Sequence, residues 1–163
     1  MNLYDETIKK ENLTADDIQK LYQWKNGMPL SKPKQISLEK NIIKKLYRIN
    51  QLKKEKQIDH KKILEEFPKG GAVWRIFLLH IINPKYFPIY DQNIHRAFCF
   101  MQEQPYQKIS EKSIADKKKI EFYSNEYFPF IESIKDIEIR ELDKAFFAFG
   151  KFIKSKGNVI LVK

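Results

Sequence analysis

Apolar residues recur along this chain at the three-and-four spacing of helices. Thr14 is placed to cap a first helix with Ile18, Leu21 and Tyr22 on one face, and Asn26-Gly27 is a helix-stop signal. Pro29 and Pro33 predict an open segment after it. Ser37 then caps a second helix with the stripe Leu38, Ile42, Leu46, Ile49 and Leu52. Lys40, Lys44, Lys45 and Arg48 occupy its other face, with Lys53 and Lys54 behind them. Asp59 opens a short helix through Ile63 and Leu64 that stops at Phe67-Pro68-Lys69-Gly70-Gly71. From Ala72 to Ile82 the chain is apolar nearly all round, the pattern of a helix in the middle of a core.

Asn83-Pro84 ends that helix, and Asp91 opens another through Met101. Gln102 to Ser110 reads as a loop around Pro105, and Ile114 to Tyr123 as helix again. Pro129 breaks the aromatic cluster of Tyr123, Tyr127, Phe128 and Phe130. Ile139, Leu142, Phe146, Phe149 and Ile153 mark a strong last helix from about Ile137, and Val159-Ile160-Leu161-Val162 is β-prone. The expectation is a mostly α protein, one helical domain over residues 1–163, with any β-structure confined to the termini.

Composition narrows the class. The 163 residues are enough to close a core, and 42% hydrophobic with 13% aromatic content is that of a globular chain. Five glycines and seven prolines leave little punctuation for an all-β fold. The single cysteine, Cys99, lies between Phe98 and Phe100, which excludes a disulfide framework and reads as inert packing. No signal peptide and no membrane span are expected, so the protein is read as cytoplasmic. The net charge of +10 favours a nucleic-acid partner, although 21 acidic residues accompany the 31 basic ones.

Candidate chemistry sits in the middle of the chain. At Leu64-Glu65-Glu66-Phe67-Pro68-Lys69-Gly70-Gly71-Ala72 one apolar-ended helix turns through two glycines into the next. Glycine lets such a turn approach another backbone, and the amides that start the second helix form an anion site. Taken alone, this is equally an ordinary interhelical turn. Downstream, Pro88-Ile89-Tyr90-Asp91-Gln92-Asn93-Ile94-His95-Arg96 sets an aspartate at a helix start with a basic pair one turn later.

Together, residues 59–101 resemble the helix–hairpin–helix superfamily of base-excision DNA glycosylases, whose hairpin reads like Leu-Pro-Gly-Val-Gly. Laying Asp91 on the family's essential aspartate puts Phe67-Pro68-Lys69-Gly70-Gly71 on the hairpin without a gap. Pro-Ile-Tyr-Asp, the apolar helix before it and Leu142-Asp143-Lys144-Ala145-Phe146 also look like small bacterial proteins of 8-oxoguanine-glycosylase-like fold. The resemblance implies DNA contacts from Lys69, Gly70, Gly71 and Arg96, and catalysis by Asp91. That carboxylate would stabilise an oxocarbenium-like sugar or position water as the base leaves.

Two departures bear on mechanism. Lys69 stands where the hairpin has its first glycine. The column of the nucleophilic lysine in bifunctional members holds Val73, beside Ala72, so no amine is available there for a Schiff base. The resemblance therefore implies a monofunctional enzyme, with no iron–sulfur module, no other cofactor and no metal.

Other residues carry plainer readings. His80 reads as a hydrogen-bonded core histidine, and His60 and His95 have no zinc-site spacing with Cys99 or the carboxylates. Asp91 can equally be a helix cap, and Arg96 can equally pair with a carboxylate. Trp24, Trp74 and the Tyr123–Phe130 aromatics are candidate stacking groups but read first as core. The competing functions are a glycosylase, a helix–hairpin–helix DNA-binding module without catalysis, and a helical partner-binding protein.

Overall fold

The computed structural model describes residues 3–103 and 114–156, of which 69% are helical, with no strand among them. Most of the Pro105 loop and the Val159–Val162 segment, where terminal β-structure was expected, lie outside the described residues. The helices gather into two compact units, Met1–Asn83 and Pro84–Lys163.

In the first unit, α1 (Leu3–Thr7) precedes α2 (Ala15–Asn26). Thr14 caps α2 in a capping box: its hydroxyl accepts from the Asp17 amide at 3.2 Å, and the Asp17 carboxylate accepts from the Thr14 amide at 2.9 Å. Gly27 closes the helix in the left-handed region at φ 72. The next helix, α3 (Lys32–Asn41), begins well before the expected cap at Ser37. Pro33 lies in its first turn, where a missing N–H costs nothing, so this proline starts a helix instead of holding the chain open. The stripe from Leu38 to Leu52 is also not one helix. A 3-10 turn at Ile43–Lys45 divides α3 from α4 (Leu46–Leu52), and Leu38, Ile42, Ile49 and Leu52 stay buried across the division.

Asp59 caps α5 (His60–Glu66), accepting from the Lys61 amide at 2.9 Å. α6 (Ala72–Ile82) is buried without interruption from Ile76 to Ile82. Its His80 takes a hydrogen bond with the Tyr4 hydroxyl, and Tyr4 stacks on Trp24 with ring centroids 4.1 Å apart. The short α1, which has no apolar stripe of its own, is anchored by this pair. In the same last turn of α6, the Lys53 ammonium donates to the Ile81 carbonyl at 2.9 Å, satisfying an orphan acceptor. Burial lowers the Lys53 pKa.

In the second unit, α7 (Gln92–Met101) pairs with α10 (Ile139–Ser155), the most extensive helix pairing among the described residues. Between them, α8 (Asp116–Phe122) passes without interruption through a π turn at Tyr123–Tyr127 into α9 (Phe128–Ser133). Pro129 was expected to break the chain here. The widened turn, in which the Phe128 amide reaches back to the Tyr123 carbonyl, admits the proline at the start of α9 instead. Tyr123, Tyr127 and Phe128 are buried, as core aromatics should be.

Gly150 governs the α7–α10 pairing. A Cβ there would overlap the Asn93 carbonyl, so the two backbones touch. Gly→Ala inside a helix ordinarily gains about 0.5–1 kcal/mol. At Gly150 the sign reverses: Gly150→Ala is expected to destabilise by about 1–3 kcal/mol through overpacking, as read from the midpoint of urea unfolding.

Candidate functional site

Lys69, Gly70 and Gly71 fall together in the turn between α5 and α6, and all three are exposed. Gly70 sits at φ 99 with nothing within 4 Å of the position of a Cβ, so glycine is needed there for backbone conformation and not for space. Gly71, at φ −68, is the residue before α6, and no side chain caps that helix. Its carbonyl already accepts from the amides of Trp74 and Arg75, at 3.0 and 3.1 Å.

Cations gather on the α5 side of the turn, and the structure engages several of them. The Arg75 guanidinium donates to the Phe67 carbonyl at 2.8 Å and to the Leu64 carbonyl at 2.5 Å, closing the end of α5. Lys45 donates to the Glu66 carbonyl at 2.6 Å, with its ammonium 4.7 Å from the centre of the Phe67 ring. Arg48 bridges Glu55 and Glu66 at 2.8 and 2.9 Å, and these carboxylates raise its pKa. The turn is thus held from below by Lys45 and Arg75, while Lys69 stands at its exposed tip.

Asp91 and Arg96 belong to the second unit. Asp91 is half-buried, and one of its oxygens, Oδ1, accepts from the amides of Asn93 and Ile94 at 2.8 and 3.1 Å. It is therefore the N-cap of α7. Arg96 is buried, with Nη1 donating to the Asn93 side chain at 3.0 Å and to the Gly150 carbonyl at 3.2 Å.

Sequence reasoning missed what fixes Asp91. The Ile89 amide donates to both oxygens of the buried Asp143 at 3.1 Å. The Tyr123 hydroxyl donates to the Pro88 carbonyl at 3.2 Å, and burial holds its pKa well above the ordinary tyrosine value. The Pro88–Asp91 segment is thereby tied to α10 and to the π turn. Tyr127 is buried nearby, and its hydroxyl has no hydrogen-bond partner among the described residues. Its pKa is raised by burial first and then by the charges of Asp143, Tyr123 and Asp91.

A second set is also new. His95 Nδ1 is 2.8 Å from the Tyr90 hydroxyl, and His95 Nε2 is 3.6 Å from Cys99 Sγ, all three side chains being buried. The i, i+4 separation of His95 and Cys99 is the signal that could have found this pair, since a helix sets such residues on one face. No group of three or more potential metal-ligating side chains occurs among the described residues. None of their helices is long and apolar enough to cross a membrane.

No family model matches the chain, and no curated protein or solved structure matches it.

Asp143 is expected to be the structural carboxylate of this segment. Asp143→Ala leaves the Ile89 amide without its acceptor and should cost about 1–3 kcal/mol in chemical denaturation. Asp91→Asn should cost only a few tenths, because asparagine caps about as well as aspartate.

Proposed function

We propose that the α5–α6 turn is a helix–hairpin–helix that docks on a DNA phosphate, and that the protein is a monofunctional base-excision glycosylase acting through Asp91. The observation that carries the DNA reading is the exposed Lys69-Gly70-Gly71 turn, with Gly70 at φ 99, leading into α6, a helix uncapped by any side chain. Backbone amides at such a start point outward, and a phosphate oxygen is the acceptor they suit. Lys69 adds a cation at the same place, and a net charge of +10 raises the local concentration of a polyanion.

Asp91 takes its role from the resemblance of residues 59–101 to the glycosylase superfamily. Its position at the head of α7 supports that role, since one carboxylate can cap a helix and remain half-exposed to a sugar. With Val73 in the lysine column, the reaction ends at base release: water oxygen bonds C1′ as the N-glycosidic bond breaks, and the water proton leaves with the base.

Two measurements test these statements separately. Lys69→Glu is expected to weaken duplex binding about tenfold at moderate salt and to lower the salt slope by about one, if Lys69 neutralises one phosphate. Unchanged affinity and slope would remove the turn from the interface. For catalysis, a panel of lesion-bearing duplexes is assayed for free base and for abasic sites. Asp91→Asn should abolish release while leaving folding and duplex affinity intact. If the wild-type chain binds duplex and releases no base, the protein is a DNA-binding module without catalysis.

A further inference from the structure

The first unit carries a surface that neither the turn nor Asp91 accounts for. An open groove of about 490 Å³ runs beside α3 and is lined by Gln19 and Gln35, by Ile36 and Ile43, and by Lys40 and Lys44. Tyr47 follows Lys44 by three residues, outside the lining, where the 3-10 turn passes into α4. It is 79% exposed, the most exposed of the large hydrophobic side chains, and Ile36 is 59% exposed. Among the described residues the Tyr47 side chain has no ring contact or hydrogen bond, and Lys40 and Lys44 have no carboxylate partner. Glu39 is the acidic residue of the lining.

A flat aromatic ring exposed to water near lysines is how proteins grip unpaired nucleic acid: bases stack on the ring, and the cations follow the backbone. The Gln19 amide can meet the edge of a base in the groove, and Ile36 and Ile43 can meet its face, while the Gln35 amide already donates to the Leu30 carbonyl at 2.7 Å. A protein partner suits the surface less well. Interface cores are depleted of lysine, whereas here the lysines line the groove itself. Lys45, next to Lys44, is by contrast engaged by the Glu66 carbonyl and the Phe67 ring.

We infer that the α3–α4 face binds single-stranded nucleic acid, with a base stacked on Tyr47 and the adjoining phosphates held by Lys40 and Lys44. The inference takes its ligand class from the DNA reading above and assigns that protein a second contact, for an unpaired strand.

The test is fluorescence anisotropy of the full chain with labelled oligo(dT) of twelve nucleotides and with a duplex of the same length. Tyr47→Ala, at an exposed position, should weaken single-strand binding about tenfold, as loss of one stacked base does, and leave duplex binding within about twofold. Tyr47→Trp should restore the affinity. Lys40→Glu with Lys44→Glu should weaken single-strand binding further and flatten its salt dependence. Oligo(dT) affinity that is unchanged in Tyr47→Ala overturns the inference, as does a wild-type chain that does not bind oligo(dT). So does a Glu/Leu-rich helical peptide whose binding depends on Tyr47 when that of oligo(dT) does not. Lys69→Glu separates the two proposals: it acts on the duplex if the turn reading holds, whatever Tyr47 does to the single strand.

Discussion

Where α7 and α10 meet at Gly150, the carbonyl of Asn93 lies against backbone with no side chain between them, and much of the second unit is arranged around that closeness. Arg96 fills the seam by donating to the Gly150 carbonyl and the Asn93 side chain. Two turns earlier on α10, Asp143 holds the Ile89 amide. Residues 143 and 150 share a helix face, and what they fix lies two positions before and two positions after Asp91. The cap of α7 is thus clamped from both sides by a single helix.

In the first unit the same economy governs the cations. Arg75 and Lys45 are engaged with the carbonyls that end α5, and Arg48 with two carboxylates. Lys53 serves the end of α6. Lysine and arginine in these positions act as helix caps, so net charge overstates what remains for a ligand. Lys69 at the tip of the turn, and Lys40 and Lys44 along the groove, have no such engagement among the described residues and are the cations on which the proposed nucleic-acid contacts rest. A basic chain becomes a nucleic-acid surface only where its charges are not already used to finish its own helices.

The chain by itself determined the helical class and most helix starts. Thr14, Asp59 and Asp91 were legible as caps because a short oxygen-bearing side chain before an apolar stripe has one favourable use. The burial of α6 was legible because no polar face exists to turn outward. Gly70 was legible as a turn residue, and the positive φ is what only glycine adopts easily. His80 was legible as core, since a lone histidine in an apolar run must find a buried partner, although nothing in the pattern named Tyr4.

Only the tertiary structure decided the rest. Pro33 and Pro129 have the same local rule, yet one opens a helix and the other is absorbed by a π turn, because neighbouring packing chooses where the missing amide falls. Asp143, Arg96 and Gly150 acquire their roles from partners more than fifty residues away, and no periodicity carries that information. Sequence spacing specifies which face a side chain takes. Which partner meets that face, and hence whether a charge caps, braces or stays available to a ligand, is set by long-range packing alone.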